Sequence, residues 1–168
     1  DRVAESAVSA TKNLISFEDG HASFWQGVGT AAASWGTFTD GSRSAGNTTV
    51  LYNPDTTAND KISVLQTVDL VTPSSFTYQA EARANATNTW LGVVFNYQAN
   101  GNHYLFRVKT GGTTWELKEK NGASYANLAT GSLTSPGGGC VSTAAVSVPS
   151  NTYVTLKVER AASNPNLI

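Results

Sequence analysis

Residues Thr89–Lys120 read TWLGVVFNYQANGNHYLFRVKTGGTTWELKEK. Three apolar, β-rich runs lie in this stretch: Trp90–Tyr97, Tyr104–Val108 and Trp115–Leu117. Asn100-Gly101 separates the first two and Gly111-Gly112 the second pair. Such dipeptides supply the positive φ angles that tight hairpin turns require. The expected local structure is an antiparallel three-stranded meander.

The flanking sequence continues the pattern. Phe76–Ala84 (FTYQAEARA) alternates, with Phe76, Tyr78, Ala80 and Ala82 on one side and Thr77, Gln79, Glu81 and Arg83 on the other. Thr152–Glu159 alternates too, with Val154, Leu156 and Val158 inward. This is the period of two expected of a strand with one buried face. Shorter β-rich runs stand at Asn13–Asp19, Ser34–Thr39, Val50–Tyr52, Lys61–Leu70 and Ser124–Leu128. Most are closed by turn residues such as Asp40-Gly41, Asn53-Pro54-Asp55 and Thr72-Pro73. His21–Ser34 reads as a loop with a short strand, and Thr130–Thr143, with three consecutive glycines, as a long loop. No convincing amphipathic helical pattern appears. Short strands at regular spacing predict an all-β antiparallel β-sandwich or barrel. Residues 1–12 are expected to be a linker or entering segment, and residues 13–168 the β-sandwich domain.

The 168 residues fit one domain with a sizeable core. The formal net charge is -1, which provides no long-range field to steer nucleic acid or an anionic membrane toward the chain. No apolar run reaches the roughly 20 residues that span a bilayer. The chain contains no Met, so it is expected to be a processed or excised product, which leaves room for a leader to have been removed. Its one cysteine, Cys140, follows Gly137-Gly138-Gly139 and reads as a free thiol, the alternative being a partner on another segment.

Several groups of residues together resemble a family. They are Phe17-Glu18-Asp19-Gly20, Trp25, Ser34-Trp35-Gly36, Asp40-Gly41, Gly92–Tyr97, Asn102–Arg107, Trp115-Glu116-Leu117, Asn121-Gly122 and Tyr153–Glu159. In this order they look like the concanavalin A-like jelly rolls of the laminin-G-like kind, found as carbohydrate-binding modules in secreted polysaccharide-acting proteins. The resemblance covers roughly Asn13 to Glu159 and identifies a fold more than a ligand. It implies an extracellular polysaccharide or oligosaccharide partner. It also implies a structural Ca2+ near the first strand, for which Glu18 and Asp19 are the ligands by position. The alternative is that the Asp and Asn residues in the turns only form Asx turns. The family closes its sandwich with further strands, and the expectation is that a downstream segment or a second chain supplies them.

Alternation assigns Leu91, Val93, Phe95, Tyr97, Tyr104, Phe106 and Val108 to the core. The opposite face then offers a groove of Glu81, Arg83, Trp90, Asn96, His103 and Arg107. Trp stacks on a pyranose ring, while amide, carboxylate and guanidinium groups hydrogen-bond hydroxyls. Arg also holds a uronate or sulfate bidentately. Three alternatives stay open: this groove, a loop-edge site with Trp25, Trp35 and Tyr125, or no site in the chain. Glu81 and Arg83 also read as members of an ion-pair ladder with Arg107, and His103 as a solvated or structural residue. Glu116, Lys118 and Lys120 read as an exposed charged face.

No paired-carboxylate run of the glycosidase kind occurs, nor G-x-S-x-G, H-E-x-x-H or a Cys/His cluster. The expected function is therefore a non-catalytic extracellular polysaccharide-binding module of a larger secreted protein. Two alternatives remain: part of a glycan-acting hydrolase or lyase with catalytic residues elsewhere, and a protein-binding adhesion or assembly module.

Overall fold

The computed structural model describes residues 25–28, 34–43, 48–55, 61–65, 76–134 and 145–160. The chain divides into two compact units, Asp1–Asp69 and Leu70–Ile168. All ten named elements are strands, and every strand pair is antiparallel. The expected all-β architecture is thus observed.

In the first unit, β1 (Trp25–Val28) pairs with β4 (Ile62–Leu65). Strand β2 (Gly36–Thr39) pairs with β3 (Thr49–Tyr52). Asp40 ends β2 by accepting the backbone N–H and the hydroxyl of Ser42 on Oδ1, at 2.9 and 2.7 Å. That is an Asx turn, in which a short carboxylate replaces a backbone acceptor.

The second unit holds two sheets packed face to face. One joins β5 (Phe76–Ala82) to β10 (Val154–Arg160), partners far apart in sequence. The other runs in the order β6 (Trp90–Phe95), β7 (His103–Lys109), β8 (Thr114–Asn121) and β9 (Ser124–Ser132). The meander therefore has a fourth strand, and β8 and β9 extend beyond their β-rich runs. Glycines in the left-handed region turn its hairpins: Gly101 at φ 83°, Gly111 at 73° and Gly122 at 61°. These are the positions where the dipeptides placed them, and a side chain there would strain the backbone.

Between the sheets, Tyr78, Ala80, Ala82, Val154, Leu156 and Val158 meet Leu91, Val93, Phe106, Val108 and Trp115. Val93, Val108 and Leu156 are almost fully buried. Rings extend the core at one end, where Phe95 lies 5.6 Å from Tyr104 and 6.2 Å from Phe76. Burial of the Tyr78 side chain raises its phenol above the ordinary value of 10.0.

Two local devices fix the four-stranded sheet. Thr110, fully buried, donates its hydroxyl toward the carbonyls of Ala86 (2.7 Å) and Thr89 (3.1 Å) and accepts the N–H of Thr89. Its neighbour Gly111 donates to the carbonyl of Val148. The end of β7 is thereby tied to the turn before β6 and to the segment before β10. The second device is a register shift between Leu117 and Lys118, which leaves Leu128 of β9 without a partner. It acts as a β-bulge. Because of it, Gly131 opposes Trp115 on the core side, while Tyr125 opposes Lys120 on the other side. Gly131 has to be glycine: a Cβ there would stand 2.7 Å from the Trp115 indole.

Candidate functional site

Sheet alternation places the functional side chains. Core contacts fix the inner side of the four-stranded sheet as that of Leu91, Val93, Phe106, Val108 and Trp115. The register then groups Trp90, Gly92 and Val94 of β6 with Lys109, Arg107 and Leu105 of β7 on the outer side. From β8 come Glu116, Lys118 and Lys120, and from β9 Thr130, Asn127 and Tyr125.

At the centre of this face stands a stacked ion pair. The Arg107 guanidinium lies over the Trp90 ring, with its carbon 4.0 Å from the ring centroid. Its Nε and Nη2 both donate to Oε2 of Glu116, at 2.8 and 2.7 Å. Lys118 approaches the same oxygen at 3.6 Å. The Arg107 and Glu116 side chains retain 21% of their exposure and that of Lys118 15%. A planar guanidinium can stack and hydrogen-bond at once, which an ammonium cannot. Gly92 leaves room for this packing, since a Cβ there would meet Leu105 Cδ1 at 2.8 Å and Arg107 Cβ at 3.2 Å. On either side, the Lys109 ammonium lies 5.8 Å from Trp90 and that of Lys120 5.6 Å from Tyr125.

His103 closes one end. It is 3% exposed, with Nδ1 2.9 Å from the Gly101 carbonyl and Nε2 3.2 Å from the Tyr125 hydroxyl. A carbonyl only accepts, so Nδ1 carries a proton and donates it to Gly101, while Nε2 pairs with the Tyr125 hydroxyl, a group able both to donate and to accept. Tyr97 stacks on the imidazole at 5.6 Å. The histidine is a structural hub, in keeping with one of its two expected readings.

The six residues expected to form one groove do not share a surface. Trp90 and Arg107 meet directly, and His103 lies on the same sheet. Glu81 and Arg83 belong with the β5–β10 sheet, where Ala80 and Ala82 face the core and exposed Glu81 points away from it. The core therefore lies between Glu81 and the Trp90–Arg107 face. Arg83 stands instead 5.7 Å from the Tyr153 ring. No ladder joins it to Arg107, whose carboxylate partner is Glu116. Asn96 leaves the strand alternation because it adopts φ 51° directly after β6. Asn tolerates this left-handed conformation, so the residue is a turn former.

Of the loop-edge aromatics, Tyr125 turns out to lie in a strand, on the same outer face as Lys120. Trp25 lies in β1 and Trp35 immediately before β2, both half-buried. An aromatic pair that sequence reasoning missed stands on the β2–β3 hairpin. Phe38 is 53% and Tyr52 39% exposed, with ring centroids 5.5 Å apart. The alternation of Gly36–Thr39 gave no reason to place Phe38 outside a core.

The expected Ca2+ ligands Glu18 and Asp19 lie outside the described residues. Among the described residues, no three His, Cys, Asp or Glu side chains gather as a metal site. Nor is any helix there long and apolar enough to cross a membrane. Searches of protein-family models, curated proteins and solved structures find no match to this chain.

Proposed function

We propose that the chain is a non-catalytic carbohydrate-binding module of a secreted protein, taking a polysaccharide across the outer face of the β6–β9 sheet. The observation that carries this reading is the Trp90–Arg107–Glu116 stack at the centre of that face. Guanidinium and carboxylate edges held in fixed orientation suit hydroxyl-bearing rings, because little side-chain entropy remains to be lost on binding. Val94 and Leu105 lie beside the stack and offer apolar ground for the C–H faces of sugars. An extended sheet face also suits a linear chain better than a small ligand, which favours a concave pocket.

Affinity electrophoresis through gels containing soluble polysaccharides tests the reading. At least one polysaccharide should retard the chain, and Arg107→Ala should abolish that retardation while leaving the circular dichroism spectrum unchanged. A chain that migrates freely through every polysaccharide gel would refute the proposal. The exposed Phe38–Tyr52 pair supports a second location for the same function. Retardation that survives Arg107→Ala and disappears with Tyr52→Ala would move the site there.

A further inference from the structure

The outer face of the β6–β9 sheet carries a charge that the composition conceals. The chain has 11 Lys and Arg residues against 12 Asp and Glu. Yet this one face gathers Arg107, Lys109, Lys118 and Lys120 with a single carboxylate, Glu116. The net is three positive charges. Glu119, the other acid on these strands, pairs with Tyr104 and belongs to the opposite side. Glu116 is already shared by Arg107 and Lys118. Among the described residues neither Lys109 nor Lys120 has a carboxylate partner, and their ammonium groups lie near the rings of Trp90 and Tyr125.

The outer face of the β5–β10 sheet provides an internal contrast. There Lys157 pairs with Glu159 at 2.6 Å, and Glu81 offsets the charge of Arg83 just past the end of β5, so the charges balance. The cationic character thus belongs to one face and is not a general property of the unit.

Resting on the polysaccharide reading above, we infer that the ligand is an acidic polysaccharide, with Lys109 and Lys120 binding its carboxylate or sulfate groups at the two ends of the face. Six residues of β7 separate the ends, about 20 Å at the usual rise per residue. Cations that far apart reach along several sugars of one chain and match anionic groups repeated along it. A nucleic acid fits less well. Binding a single strand relies on a positively charged groove that tracks its backbone and on open aromatic faces for base stacking. Here a carboxylate stands at the centre and the Trp90 ring is capped by Arg107.

The test is affinity electrophoresis and calorimetry on the intact chain with four probes: polygalacturonate, dextran sulfate, uncharged dextran and a single-stranded DNA oligonucleotide. Polygalacturonate or dextran sulfate should bind, more weakly as NaCl is raised, and the dextran should not. Which of the two binds separates the uronate from the sulfate source. The double variant Lys109→Gln, Lys120→Gln should lose about tenfold in affinity, whereas Lys157→Gln, on the other sheet, should change nothing. Salt-insensitive binding of uncharged dextran alone would overturn this inference and leave the polysaccharide reading standing. So would wild-type affinity of the double variant for the acidic probes. Binding of the DNA with no polysaccharide bound would overturn both. The comparison among probes uses the unaltered chain, so a misfolded variant does not rescue the inference.

Discussion

The two outer faces of the second unit sit on one core and have been built differently. On the β6–β9 face, Arg107 is stacked on Trp90 and bound to Glu116, and both charged side chains have about four-fifths of their surface removed from solvent. On the β5–β10 face, Lys157 and Glu159 form an equally short contact but keep 51% and 58% of their exposure. Distance alone would rank the pairs as equals. The difference is in how much freedom each has already given up. The exposed pair must immobilise two long side chains against solvent screening, which cancels most of its attraction. The stacked pair is held by its neighbours, so its geometry is available to a ligand at little further cost.

The largest effect should come from the core that both faces share. Leu156→Ala removes a side chain only 4% exposed and should cost about 2–5 kcal/mol in denaturant unfolding. Because Leu156 meets both sheets, it should loosen both faces together. A loss confined to one face would show that the sheets are not energetically coupled. Next comes Glu116→Ala, which leaves Arg107 half-buried without its carboxylate and should cost about 1–2 kcal/mol. The matching Lys157→Ala should cost less than about 0.5 kcal/mol. Equal costs for the two would erase the distinction drawn between the faces.

The smallest effect is a pH dependence. Burial raises the Tyr78 phenol in the folded state above its unfolded value of 10.0. The folded form then holds its proton more tightly than the unfolded form, so this contribution is intact below pH 10 and is lost as pH rises through the folded value. Tyr78→Phe should therefore flatten part of the alkaline fall in stability. An identical alkaline limb in the variant would mean that Tyr78 gains solvent before it titrates.

The meander was legible in the sequence because two local signals agreed, alternation within strands and glycines at their turns. The inward assignment of Leu91, Val93, Phe106 and Val108 follows from parity alone. Parity does not say which sheet a strand joins. Parity alone groups Glu81 and Arg83 with Arg107, whereas β5 finds its partner β10 some 70 residues downstream, where Ala82 meets Val154. Nor does parity survive a left-handed residue, which removed Asn96 from the expected face. His103 kept its sheet but not its exposure, because Tyr97 and Tyr125 close around it. The charged run Glu116, Lys118 and Lys120 was visible as a face, whereas its junction with Arg107 and Trp90 depended on register.

The unpaired Leu128 in β9 has a consequence for how this chain tolerates change in length. Tyr125 and Gly131 are six residues apart and would share a side in an unbroken strand, yet they occupy opposite sides here. Deleting Leu128 would leave those two residues five apart, and regular alternation would then keep them on the opposite sides they already occupy. The bulge is thus a spare residue that the strand can lose without turning its later side chains over. A one-residue deletion inside β7 or β8 has no such reserve and would move every later side chain of that strand to the other face. Lineages of this sequence should therefore lose a residue at Leu128 or at the hairpin tip around Gly122 more readily than within β7 or β8.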